Sequence, residues 1–253
     1  MRIAFIGKGG AGKSVIAGAF CRLLARTDDR GVVAIDSDPM PGLAISLGVP
    51  STDAALPADL AEKIGNDADN EWQLRGGMTG IEAIEAYATE GPDGVRLLQF
   101  GKPRGHVRTV GAGQRGFRLI VRALAETTDL HLVGDLPGGT RQAFFGWAGF
   151  ADMLVVVGEA TPSSMLSARR LARLAAAGGT GQRVVAIANR AIDPADATRL
   201  AEFSGLRVVS VVPRDREVVA AERAGVPLID YAPGSPAVEA IRSLVDTLRR
   251  ETP

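Results

Sequence analysis

Gly7-Lys8-Gly9-Gly10-Ala11-Gly12-Lys13-Ser14 is the stretch whose reading decides the fold. The apolar run Arg2–Ile6 precedes it. The segment Ser14–Arg26 follows, with Ile16, Phe20, Leu23 and Leu24 recurring at i, i+4, i+7 and i+8 as one apolar stripe. The order is therefore strand, glycine loop, amphipathic helix. In that setting G-x-x-x-x-G-K-[ST] is a phosphate-binding loop. Its glycines let consecutive backbone N–H groups curl around phosphate oxygens where side chains would collide. The helix N-terminus adds the positive end of its dipole. On this reading Gly7, Gly9, Gly10, Ala11, Gly12, Lys13, Ser14 and Val15 hold a nucleotide, with Lys13 bridging the β- and γ-phosphates and the Ser14 hydroxyl binding Mg²⁺.

Outward from this loop, short β-rich runs alternate with helical stretches. The runs are Arg2–Ile6, Val32–Ile35, Val95–Phe100, Leu130–Gly134, Met153–Val157, Arg183–Ala188 and Arg207–Val212. The helices expected between them cover Ser14–Arg26, Arg115–Glu126, Ser163–Ala176, Asp193–Phe203, Glu217–Ala224 and Pro236–Arg250. The runs show little polar alternation, as strands covered on both faces do. The pattern predicts an α/β fold: a mainly parallel twisted sheet of about seven to eight strands with helices on both faces, in one domain spanning 1–253. Residues 51–94 break the rhythm and read as an insertion on the sheet rim, with room for two short helices.

Composition narrows the function classes. The 253 residues carry 29 basic and 29 acidic side chains, so bulk charge does not drive nucleic-acid wrapping. Hydrophobic residues at 46% and charged ones at 23% are ordinary for a globular chain with a large core. One cysteine, Cys21, excludes an internal disulfide and a thiolate cluster within one chain. No apolar run approaches the ~20 residues of a membrane span, and the N-terminal apolar run is too short for a secretory signal. A cytoplasmic location follows as the expectation.

Carboxylates end two of the predicted strands. Val32–Ile35 leads into Asp36-Ser37-Asp38-Pro39, and Leu130–Gly134 into Asp135-Leu136-Pro137-Gly138-Gly139. In an open α/β sheet, ligands sit at the carboxyl ends of strands, which places Asp36, Asp38 and Asp135 in one crevice with the glycine loop. Asp135 suits a Mg²⁺-bound water, and Gly138-Gly139 give a turn free to respond to the γ-phosphate.

The K-G-G-x-G-K-[ST] pattern resembles the deviant Walker A motif of the P-loop NTPases that include ParA/MinD partitioning ATPases, the nitrogenase iron protein and arsenite-pump and nickel-insertion ATPases. In that family two subunits sandwich two nucleotides. The resemblance implies that Lys8 reaches the partner subunit's ATP, as an arginine finger would. It implies a homodimer gated by ATP, which acts on a client protein that the sequence does not identify. The D-x-D-P match implies that Asp38 orients or deprotonates the attacking water and that Asp36 lies nearer the Mg²⁺ shell. The strand followed by Asn189 and Arg190, and the segment Pro213–Asp215, resemble the family's adenine side. ATP and ADP are expected rather than guanine nucleotides, since no N-K-x-D reader is present.

Within the family the chain is similar to the CooC-type nickel-insertion ATPases that mature carbon monoxide dehydrogenase. Asp36–Leu43 with Leu47-Gly48-Val49, Asp93–Lys102 and Ala221–Pro227 carry that likeness. The C-x-C pair of that subfamily is missing: Gly111-Ala112-Gly113-Gln114 stands there. Nickel binding by thiolates is therefore not expected, and Cys21 reads as a small buried apolar residue. His106 is a lone histidine beside this stretch, and Thr140-Arg141-Gln142 replaces the expected Ile-Glu-His. Phe144, Phe145, Trp147 and Phe150 read as a core-facing helix beneath the second switch, or as a nucleotide-gated partner surface. Two rival functions remain. A ParA/MinD-type positioning ATPase would use arginines such as Arg169, Arg170, Arg173 and Arg190 on nucleic acid, or a membrane-contacting tail. A nucleotide sensor would turn over little. Glu239 and Asp246 dilute the basic side of the C-terminal helix, which favours core packing through Val238, Ile241, Leu244, Val245 and Leu248.

Overall fold

The computed structural model describes residues 1–38, 42–50, 56–64, 71–101, 107–139, 146–178 and 181–252. Pro39 to Pro41, Lys102, His106, Thr140 to Gln142, Phe144 and Phe145 lie outside the described residues.

The main sheet comprises β1 (Arg2–Gly7), β2 (Val32–Asp36), and further strands separated from these by a hairpin, β3 (Ala61–Ile64) and β4 (Glu71–Leu74). They are β5 (Thr89–Glu90), β6 (Arg96–Gln99), β7 (His131–Asp135), β8 (Met153–Gly158), β9 (Arg183–Ala191) and β10 (Val208–Pro213). The helices are α1 (Lys13–Ala25), α2 (Leu43–Leu47), α3 (Gly80–Tyr87), α4 (Val107–Thr127), α5 (Pro162–Gly178), α6 (Ala195–Ser204), α7 (Arg216–Ala224), α8 (Leu228–Tyr231) and α9 (Pro236–Glu251).

Eight strands form the sheet in the order β10-β9-β8-β1-β7-β2-β6-β5, parallel except for β5 at the edge. The strands are buried on both faces because alternate residues enter two separate cores. Ile3, Phe5, Ala34 and Val133 face α1, α2 and α9, while Ala4, Ile6, Ile35 and Leu98 face α3, α4, α5 and α6. The expected C-terminal packing holds: Val238, Ile241, Leu244, Val245 and Leu248 are all buried. Among the described residues, no helix is long and apolar enough to cross a membrane.

Three expectations need correction. Residues 51–94 do not form two short helices alone. Their described part makes the antiparallel hairpin β3–β4, the helix α3 and the edge strand β5. The alternating Trp72 and Leu74, one half-buried and one buried, let the hairpin lie on α4, with the Arg115 guanidinium 3.6 Å from the Trp72 ring. Secondly, residues 146–150 are turns and not helix. Trp147 still packs edge-on against Phe100, and Phe150 is buried, so this end of the aromatic cluster belongs to the core. Thirdly, α4 begins at Val107, eight residues before the expected start, because the stretch holding Gly111 and Gly113 continues the helix despite its poor propensity.

Chain order places the site. From β1 the chain crosses to β2 and then β6, and returns to insert β7 between β1 and β2. It then continues on the other side through β8, β9 and β10. The carboxyl ends of β1, β7, β2 and β6 are thereby neighbours, and the register is in step. Phe5 pairs with Asp135, Asp135 with Asp36, and Asp36 with Gln99.

Candidate nucleotide site

The loop after β1 is built by glycines where only glycine fits. Gly12 has φ 90° and ψ 18°, and a Cβ there would lie 2.5 Å from Asn189 Nδ2. A Cβ on Gly7 would meet the Val157 carbonyl oxygen at 2.4 Å. Gly9 and Gly10 face open space within 4 Å, so their amides border a cradle free of side chains. Within the loop, the Ala11 N–H donates to the Lys8 carbonyl at 3.2 Å. The Lys13 ammonium, buried, donates to the same carbonyl at 3.3 Å. Lys8 is exposed and donates from Nζ to Ser163 Oγ, in the first turn of α5, at 3.0 Å.

The second switch turn rests on this loop. Gly139 N–H donates to the Gly7 carbonyl at 3.2 Å. A Cβ on Gly138 would lie 2.7 Å from Gly9 Cα, so the contact between the two turns depends on that glycine as well. The sequence suggested mobility at Gly138; the structure adds close backbone approach.

The carboxylates occupy the row at the strand ends. Asp36 is fully buried and its two oxygens accept backbone N–H bonds from Asp38 at 3.0 Å and Leu43 at 3.3 Å. Asp135 is buried, and its backbone carbonyl accepts from Ser37. Burial, then the facing Asp135 charge, raises the Asp36 carboxyl to about 7. Burial raises Asp135 to about 6, opposed by a hydrogen bond from Ser14 and the Lys13 charge. Two raised carboxyls side by side, with Asp135 Oδ1 buried and lacking a hydrogen-bond partner among the described residues, fit a divalent cation that would hold both ionised. Ser14, Asp36 and Asp135 are the residues that would hold Mg²⁺ and its waters.

A groove of about 1720 Å³ runs from Gly10, Gly12, Lys13 and Ser14 past Asn189 to Pro213, Asp215 and Arg216. Asn189, at the end of a buried run on β9, is itself buried and donates Nδ2–H to the Ala11 carbonyl at 2.7 Å. One amide hydrogen therefore supports the glycine loop, a role that the sequence did not suggest. Arg190 follows in the left-handed region at φ 54° and pairs with Glu159 at 2.9 Å. Asp215 borders the groove, but its carboxylate caps two helices, accepting from Glu217 N–H at 2.9 Å and Ala237 N–H at 3.1 Å. Cys21 is fully buried in α1, and burial raises its thiol well above the usual range, as expected of an apolar packing residue.

With this geometry, comparison with known proteins is direct. Residues 3–228 match the model of the CobQ/CobB/MinD/ParA nucleotide binding domain. The chain is 27% identical over 248 residues to the carbon monoxide dehydrogenase accessory protein CooC of Rhodospirillum rubrum, covering 92% of this chain and 91% of the relative. It is 25% identical over 268 residues to an ATP-binding protein of Methanocaldococcus jannaschii, covering 100% of both. Among solved structures, a ParA family ATPase from Chlorobium tepidum superposes with a TM-score of 0.76 at 19% identity, covering 98% of each chain. The septum site-determining protein MinD of Pyrococcus horikoshii, complexed with Mg-ADP, superposes with a TM-score of 0.74 at 18% identity, covering 98% of this chain and 96% of that one.

Proposed function

The chain belongs to the CobQ/CobB/MinD/ParA nucleotide-binding family, and from that premise we propose that it is a Mg²⁺-dependent ATPase, one P-loop unit over 1–253, which works as an ATP-gated homodimeric switch on a partner protein. The observation that carries this reading is the division of labour between the loop lysines. Lys13 is buried and turned into its own loop, whereas Lys8 is exposed beside the cradle. One serves the phosphates of its own subunit; the other is available to those of a second copy.

The residues then take these roles. The amides of Gly9 to Ser14 and the Lys13 ammonium hold the phosphates and spread their charge. Ser14, Asp36 and Asp135 would hold Mg²⁺, which would help neutralise the charge that develops on the phosphate oxygens. Asp38 orients the attacking water and takes its proton as the water oxygen bonds to the γ-phosphorus. The bond from that phosphorus to the β–γ bridging oxygen breaks, and ADP and phosphate result. Lys8 stabilises the same charge across the dimer. Asn189, Arg190, Pro213 and Asp215 form the adenine side, with Asp215 acting through the helix ends that it caps. The likeness to an accessory protein of carbon monoxide dehydrogenase supports a maturation or assembly role. The absence of a C-x-C pair in this sequence argues against nickel as cargo held by thiolates.

The test is ATP hydrolysis and ATP-dependent dimerisation for wild type, Lys8→Ala and Lys13→Ala. Lys13→Ala should lose nucleotide binding. Lys8→Ala should bind ATP, fail to dimerise and lose roughly 10³-fold or more in turnover, the range of a trans-acting cation. Normal dimerisation and turnover by Lys8→Ala would refute the trans-lysine mechanism. A second reading, a positioning ATPase, is favoured by the exposed Arg170 and Arg173 on α5; DNA-shift assays with and without ATP separate the two.

A further inference from the structure

The row of side chains at the strand ends contains a member that the nucleotide chemistry above does not use. Gln99 is the last residue of β6 and pairs in register with Asp36, which pairs with Asp135. Alternation puts all three on the α1 face of the sheet, since Leu97, Ala34 and Val133 belong to that core. Neighbouring strands lie about 4.8 Å apart, so the Gln99 side chain leaves the sheet next to that of Asp36, on the same face. Gln99 is 8% exposed, and both its Nε2 and its Oε1 lack a hydrogen-bond partner among the described residues. Two residues away in the same row, Asp135 Oδ1 is buried and lacks one too.

Buried amides without partners are rare and destabilising. An apolar side chain is tolerated on this strand, as Leu97 and Leu98 show. A buried glutamine without partners, in one row with the equally unpartnered Asp135 Oδ1, points to a ligand-bound state in which both are satisfied. The chemistry of the row defines that ligand. A hydrated divalent cation offers water hydrogens to carboxylate and amide oxygens together. A carboxylate that turns toward such a water accepts a new donor most readily from the amide at its side.

Resting on the reading of Ser14, Asp36 and Asp135 as the Mg²⁺ shell, we propose that Gln99 is a positioning residue of that shell. Its Nε2–H donates to Asp36 when the cation is bound, and its Oε1 accepts from a water of the cation's hydration sphere. No covalent change is involved.

The experiment uses the full chain with Mn²⁺ as an EPR-visible probe and ADP as nucleotide. Wild type, Gln99→Met and Gln99→Leu are compared for thermal unfolding without ligands, for ADP affinity without metal, and for Mn²⁺ affinity in the presence of ADP. Gln99→Met should unfold roughly 2–4 °C higher than wild type without ligands, as expected when about 1 kcal/mol is gained in a chain of this size. Its metal-free ADP affinity should be unchanged, while Mn²⁺ binds roughly tenfold more weakly, the loss typical of an outer-shell partner. Gln99→Leu should weaken Mn²⁺ binding in the same way, whatever its packing does to stability. An amide satisfied by a structural water predicts the reverse: lower stability in Gln99→Met and unaltered metal affinity. Either half of that result overturns the proposal. Failure of wild type to bind Mn²⁺ with ADP would instead overturn the magnesium reading itself, and this assignment with it.

Discussion

Gly12→Ala tests the loop geometry most directly, because two separable costs meet at one atom. Gly12 is left-handed at φ 90°, where an L side chain costs about 1–2 kcal/mol. The new Cβ also lands 2.5 Å from Asn189 Nδ2 and drives that amide off the Ala11 carbonyl, which it reaches at 2.7 Å. Asn189 is buried, so the lost bond costs about 1–3 kcal/mol. The single variant should therefore lose about 2–5 kcal/mol. Asn189→Ala alone forfeits the same hydrogen bond, about 1–3 kcal/mol, without the backbone term. In the double variant the bond is already gone and the clash with it, so only the backbone cost remains to be added. Urea unfolding of the three variants should give a coupling of about 1–3 kcal/mol below the sum of the singles. ADP binding should fail in Gly12→Ala and survive, weakened, in Asn189→Ala. Additivity within about 0.5 kcal/mol would show that Asn189 does not support the loop, and would refute the reasoning.

Two further outcomes follow from buried charge. The folded pKa values of about 7 for Asp36 and about 6 for Asp135 exceed the ordinary carboxyl value. Their contribution to stability is therefore fully present below about pH 4 and is lost as pH rises through 6 and 7. In metal- and nucleotide-free protein, Asp36→Asn should flatten that fall and be more stable than wild type above pH 7, measured by urea unfolding from pH 5 to 8; an unchanged slope would refute the assignment. Arg22, 4% exposed in α1, pairs with Asp93 at 2.6 Å and with Asp230, and so ties the turn before β6 and α8 to the helix behind the loop. Because Asp93 also keeps Arg26 at 3.0 Å and Asp230 is 40% exposed, Arg22→Met should cost about 2–3 kcal/mol rather than the full penalty of a broken buried pair. A neutral Arg22→Met would mean that the pairs only offset their own desolvation.

The parts of the molecule legible in the sequence are those where one residue type has one physical use. Glycines flanking Lys13 and Ser14 between a strand and a helix permit little besides a phosphate cradle. Apolar runs without alternation require a sheet covered twice, and Ile3/Phe5 against Ala4/Ile6 divide between two cores as that requires. The misread segments lacked such a constraint. Trp72 and Leu74 sit in a hairpin because α4 offers a surface for them, a long-range fact that local composition does not encode. Gly111 and Gly113 sit inside α4 because tertiary packing overrides their propensity.

The same distinction explains Gln99, Asn189 and Asp215. Each is a polar residue within or just beyond an apolar run, and such residues are common. Their meaning comes from register: β7 inserts between β1 and β2, and only then do Asp135, Asp36 and Gln99 form a row. Nothing in the spacing of residues 36, 99 and 135 along the chain announces that row, whereas strand order dictates it. A chain with the same motifs but with β7 added outside β6 would keep its glycine loop and separate Asp135 from Ser14. Its nucleotide would then lack the carboxylate that the Ser14 hydroxyl now meets. The cradle belongs to a local motif, and the row of carboxylates proposed to hold Mg²⁺ belongs to the topology.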